Sequence, residues 1–233
     1  MKRLVILFVT LMLSALSLIF LFNKQPSEVT KATEAPNIYE CVDLGLSVNW
    51  ATCNVGATNP SDYGYYFVWG ETTPKDEYEW ENLRYCLDSE RMRFSKYVTD
   101  SEFGTVDKRI HLELKDDAAN VNWGGSWRTP TKEEMDEIRT QCNWEQWSID
   151  GHNCYKVISK KNGNYVYLPA AGLKGGTDLI YDGLYGCYWT SSLIVDGRER
   201  GNSAAELHFN GVAAYDSFSR RHLGRSVRPV CPR

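Results

Sequence analysis

The chain has 233 residues, 42% hydrophobic and 24% charged, which is enough to bury one good core and points to a single globular domain with a tail. A net charge of -4 at pH 7 argues against nucleic acid, whose phosphates reward basic surfaces. Aromatic residues reach 13%, with 14 Tyr and 8 Trp, a supply that suits irregular cores and carbohydrate or protein contact surfaces.

The N-terminus carries Lys2 and Arg3, an apolar stretch from Leu4 to Phe22, and then polar residues rich in Thr, Glu and Pro. This reads as an export segment, residues 1–22, either a signal peptide or an uncleaved signal anchor. Its length, near the ~20 residues that span a bilayer, and the lack of a clean small-x-small site favour the anchor, with the basic end cytoplasmic. Residues 23–37 read as a flexible linker, and residues 38–233 as the domain. The body is expected to be exported, either held in the cell envelope (periplasmic or surface) or secreted.

From residue 38 the pattern is short elements between turns. Val42, Leu44, Leu46, Val48 and Trp50 alternate as a strand broken at Gly45. "YGYYFVWGE" is an aromatic strand candidate, and residues 72–108 show no clean period and read as a long, partly ordered excursion. Asp116 and Asp117 start a short helix that Gly124 and Gly125 end. Thr131 and Glu134 then form a capping box for a second helix, with Met135, Ile138 and Cys142 on one apolar stripe. Asn162-Gly163 predicts a hairpin between two alternating segments, and further strands come in "GCYWTSSL", "AAELHFNGVAAY" and "GRSVRPV". That order predicts an α+β domain with antiparallel sheet.

Seven cysteines in an exported chain permit disulfides, and the odd count leaves at least one unpaired or intermolecular. Cys41 and Cys231 bracket the domain and form a candidate terminal staple. No C-x-x-C or H-E-x-x-H grouping is present, so neither a zinc site nor a cofactor is expected. His111 and His152 read as ordinary surface or loop residues.

The ordered set "VDLGLSVNWATCNVGA", "DYGYYFVWGET", "DDAANVNWGGSWRTPTKEEM", "YLPAAG", "YWTSS" and "GRSVRPV" resembles the Fibrobacter succinogenes major paralogous domain family over about residues 40–231. "WRTPTKEEM" and "SVRPV" are also similar to the wider C-type-lectin-like group that includes the formylglycine-generating enzyme. The resemblance implies a C-type-lectin-like fold: two helices packed on twisted antiparallel sheets, with N- and C-terminal strands adjacent. It implies fold more than activity. The cysteines do not fall in the enzyme's reactive-pair pattern, so no enzyme is expected. Positions where a calcium-dependent lectin carries carboxylates read "LPAAG" and "YWTSS", which disfavours a lectin-type calcium site. Asp178 and Asp182 read as solvated turn acids before a loop ion site.

The C-terminal layout resembles the ligand-binding variable proteins of diversity-generating retroelements. By strand alternation Ala205, Leu207 and Phe209 face the core while Glu206, His208 and Asn210 face out. Asn202, Glu206, His208, Asn210, Tyr215, Ser217, Arg220, Arg221 and His222 are therefore the candidate ligand-binding residues. Loop polarity alone accounts for the same composition. Trp127, Arg128, Thr131, Glu134 and Trp189 are assigned to the framework, with no partner for Arg128 readable. Two functions fit: a recognition module for a protein or glycan ligand, or a structural or adhesin component of the envelope without a discrete ligand site. The membrane enters as a partner only through the N-terminal segment, if uncleaved.

Overall fold

A computed structural model describes residues 39–197 and 201–233. The export segment and the linker fall outside the described residues. Among the described residues the domain is α+β, with two short helices and several small antiparallel sheets.

The alternating N-terminal run folds back on itself as β1 (Cys41–Val42) and β2 (Val48–Ala51), with Gly45 at φ +70 in the turn. β2 also pairs with the last strand, β13 (Val230–Pro232), so the two ends of the domain share one sheet in the order β1-β2-β13. Cys41 and Cys231 thus lie on strands separated by β2, and all seven cysteines are free thiols. The two thiols of the candidate staple nevertheless interact with one another, and burial together with the Cys41 thiol pushes the Cys231 pKa up to about 11.

Residues 72–108 are ordered, contrary to the sequence reading. They contain a 3-10 turn, β3 (Cys86–Asp88), β4 (Arg93–Phe94) and a second 3-10 turn. Trp80, Leu83, Phe94, Val98 and Phe103 build a separate small core with Tyr66, Val68 and Tyr78. The buried Asp116 carboxylate accepts the Tyr85 hydroxyl at 2.6 Å, the Tyr97 hydroxyl at 2.7 Å and the Lys96 ammonium. Burial pushes its pKa up, but Lys96 and the two hydroxyls outweigh burial and hold the group below the usual carboxylate range. Isolated aromatic anchors around one ionic hub leave no period in the sequence, which is why pattern reading found nothing there.

Helix α1 (Ala118–Trp123) is capped by Asp117, whose side chain accepts from Ala119 and Asn120, and it ends at Gly124. Helix α2 (Lys132–Gln141) has the predicted capping box, with the Thr131 hydroxyl accepting from Glu134 N and the Glu134 carboxylate accepting from Thr131 N. Arg128 gives its guanidinium to both Glu134 oxygens, a bidentate pair that ties the loop to the cap. Trp127 and Trp189 are buried, as expected of framework residues.

After α2 the chain forms β5 (Cys142–Ile149), β6 (His152–Ser159) and β7 (Tyr165–Pro169), paired in that order. The β6–β7 hairpin closes over Asn162-Gly163 as predicted. β5 was not predicted, although Asp150 (φ +52) and Gly151 (φ +84) form a two-residue turn of the type that an Asp-Gly pair favours. A short hairpin, β8 (Leu173–Gly175) and β9 (Asp178–Ile180), precedes β10 (Gly186–Leu193), β11 (Ser203–Phe209) and β12 (Ala214–Arg220), which form the C-terminal sheet. "YGYYFVWGE" is buried from Tyr66 onward, with Tyr65 exposed, and it forms one β-bridge, Phe67 to Arg225, flanked by Tyr65 N donating to Val55 O and Trp69 N to Arg221 O, and not a regular strand.

The main core lies where α2 meets these sheets. Met135 and Ile138 of the helix pack with Trp50, Val157, Leu168, Tyr188, Leu207 and Phe209. Each such fully buried side chain contributes roughly 1.5–3 kcal/mol. α2 therefore fixes one face of the C-terminal sheet, and the opposite face is left to the loops around it.

Candidate functional site

β11 and β12 pair without interruption from Ser203↔Arg220 to Phe209↔Ala214. Their turn is held by the Asn210 side chain, whose Oδ1 accepts from the Val212 and Ala213 backbone N–H groups. Alternation divides the sheet. Tyr188, Leu207 and Phe209 point to the main core, while Cys187, Trp189, Glu206, His208, Tyr215, Ser217 and Ser219 lie on the opposite face.

That opposite face is covered at one end and open at the other. The segment after β12 returns along β10, with Trp189 N donating to Ser226 O and Ser226 N to Cys187 O. From there Arg225 reaches back over the Trp189 ring, at 5.5 Å from its centroid, and its Nε donates to Glu206 Oε2 at 2.6 Å. Its other arm donates to Ser219 Oγ. Glu206 is only 4% exposed. Burial pulls the Glu206 pKa up, but the Arg225 guanidinium outweighs it and holds the carboxyl below its usual range. Glu206 points away from the main core as alternation predicts, yet it is a buried ion-pair member and not a ligand contact.

Arg221 and His222 are corrected in the same way. β12 ends at Arg220, where Leu223 N donates to Arg220 O and the chain turns inward. The Arg221 guanidinium sits 3.8 Å over the Phe94 ring and donates to the carbonyls of Tyr97 and Gly201. The His222 ring packs on Trp80 at 4.3 Å between centroids, and burial pulls its pKa down to about 4. Both belong to the core under the excursion. Asn202 lies half-buried at the far end of the hairpin, its backbone carbonyl accepting from Arg221 N and its side chain from Ser203 Oγ. Arg220 is exposed, but alternation puts it on the other face, opposite Ser203.

What remains together at the open end is His208, Asn210, Tyr215 and Ser217. The His208 and Tyr215 rings are stacked, 5.1 Å apart and 14° from parallel. The row continues through two residues that sequence reasoning missed: Tyr185 lies 5.1 Å from His208, and Tyr181 lies 4.8 Å from Tyr185. Four rings therefore run from the loop after β9 to the edge of the sheet, with Tyr181 50% and Tyr215 38% exposed at its ends. The turn that places Tyr181 and Tyr185 has both Leu184 N and Tyr185 N donating to Tyr181 O. Their spacing of four around Asp182-Gly183 was the available signal, and Asp182 itself is exposed in that turn, as is Asp178 at the start of β9.

A groove of about 140 Å3 adjoins the row, lined by Trp147, Tyr155, Leu184 and Gly211 among others. The Tyr155 hydroxyl donates to Asn210 O at 2.6 Å, and Gln146 donates to Gly211 O, so the β5–β6 hairpin braces the β11–β12 turn. The Cys187 sulfur lies 3.7 Å from His208 Nδ1. A nucleophilic cysteine needs a depressed pKa, whereas burial pushes the Cys187 thiol up to about 12. The pair does not assemble an activated thiolate. The arrangement presents flat ring faces, amide and hydroxyl groups and a shallow groove on a braced hairpin.

The chain matches no protein-family model, no curated protein and no solved structure.

Proposed function

We propose that this chain is an exported recognition module, built on a C-type-lectin-like scaffold, that binds a protein or glycan ligand through the open end of its C-terminal sheet. The observation that carries this reading is the row Tyr181–Tyr185–His208–Tyr215, four successive rings running from the loop after β9 onto a braced hairpin, with the end rings 50% and 38% exposed. Tyr and His offer large contact area at low conformational cost, with polar edges that fix orientation. Asn210, Ser217 and the groove beside Trp147 supply the hydrogen-bonding and shape-selective rim.

The scaffold reading rests on the shared sheet of the two chain ends, the two helices and the antiparallel C-terminal sheet, together with the ordered motifs that resemble the Fibrobacter succinogenes major paralogous domain family. The layout similar to diversified variable proteins fits a rigid framework that presents Tyr181, Tyr185, His208 and Tyr215, and the export reading rests on the N-terminal apolar segment. A glycan and protein array probed with the full chain tests the function. Ligands captured by the wild type and lost by Tyr215→Ala and His208→Ala support it. Ligands captured equally by wild type and both variants refute it.

A further inference from the structure

Among the described residues the C-terminal sheet ends in an edge strand with one neighbour. Its order is β10-β11-β12, and among the described residues β12 pairs with β11 alone. Edge strands are commonly protected by shortness, proline or a bulge. β12 has seven residues, no proline, and a register with β11 that runs without a bulge. Phe218, near its middle, is 51% exposed.

The phase of the ladder decides which backbone groups are free. Arg221 N donates to Asn202 O, and Asn210 N to Ala213 O, so Ala213, Tyr215, Ser217, Ser219 and Arg221 are the positions turned toward β11. The N–H and C=O groups of Asp216, Phe218 and Arg220 therefore point away from the sheet. Of these six, the Arg220 carbonyl is engaged by Leu223 N. Side chains at 216, 218 and 220 share one face, with a negative charge two residues before Phe218 and a positive charge two residues after it.

We propose that β12 pairs with β12 of a second copy of this chain, antiparallel about a twofold axis at Phe218. In this registry the outward groups of both edges meet as hydrogen-bonded pairs. Each Phe218 N–H donates to the other Phe218 carbonyl, and each Arg220 N–H to the other Asp216 carbonyl. The same registry sets Asp216 of each copy opposite Arg220 of the other, so the edge is complementary in charge to itself. Asp216 already faces Lys132 at 2.8 Å, but its side chain is 41% exposed and open to a second cation. A twofold axis normal to the sheet keeps both ring rows on one face of a continuous six-stranded sheet. The dimer is thus bivalent wherever the ring row binds a ligand, although its formation does not depend on that reading.

Sedimentation velocity of the full chain in detergent tests the pairing. The wild type is expected as a dimer. Phe218→Pro removes an N–H that β11 does not use, so it should give a monomer of half the mass with unchanged circular dichroism. Asp216→Arg and Arg220→Asp each set like charges opposite one another and should weaken the dimer, whereas an equal mixture of the two variants should restore it, because both cross-strand pairs are then opposite in sign. If Phe218→Pro misfolds, the charge variants and their mixture decide. A wild type that stays monomeric at every concentration overturns the proposal. So does a folded Phe218→Pro dimer indistinguishable from wild type, or a mixture no better than its components. Array binding is read separately, so a monomeric wild type that still captures its ligand refutes the pairing and leaves the recognition face standing.

Discussion

Glu206, Arg221 and His222 show how a correct local rule gives a wrong site. Alternation put Glu206 on the face away from the main core, and it is there, but Arg225 crosses β10 to meet it. Removing one member of a buried pair strands the other charge, so Glu206→Ala should cost about 3–5 kcal/mol in chemical denaturation. Since the native Glu206 pKa is depressed, the pair's contribution is complete above about pH 4.5 and fades as pH falls below it. His222 acts at a different pH. Its native pKa is pulled from the ordinary 6.5 to about 4 by burial, so between these values the unfolded chain binds a proton that the native one does not. Its contribution is complete above about pH 6.5, declines as pH falls to about 4 and levels off below. His222→Phe should flatten the pH dependence of the thermal midpoint across that window, and an unchanged slope would contradict the burial assigned to it.

At the level of elements, the regular parts were legible because their signals are local. Thr131 and Glu134 announced α2, and Asn162-Gly163 the β6–β7 turn. Thr131→Ala should destabilise the chain by about 1 kcal/mol, read from the denaturation midpoint at unchanged slope. β5 was legible too, since Asp150-Gly151 carries the same kind of turn signal, but the polar outward residues of that strand masked it. Residues 72–108 were not legible, because their order comes from distant partners: Lys96 and Tyr97 bind Asp116, and Phe94 lies under Arg221. The open half of the site was readable in His208 and Tyr215, which one hairpin sets opposite each other. Tyr181 and Tyr185 come from another loop, and only the folded chain brings them alongside.

Across the whole molecule, the pairing of β2 with β13 closes the domain, and α2 occupies one face of the C-terminal sheet. The remaining face is covered by Arg225 at one end and open along the ring row at the other. In the proposed reading that division, and not the polarity of the last loops, confines recognition to one end of the sheet. The most direct measurement is the affinity of the full chain for an array-identified ligand, compared among Tyr181→Ala, Tyr215→Ala and Tyr65→Ala. The last removes an equally exposed tyrosine on a different segment. The recognition reading predicts at least a tenfold loss for the first two, about 1.4 kcal/mol or more, and none for Tyr65→Ala. Equal affinity for Tyr181→Ala, Tyr215→Ala and the wild type would contradict it.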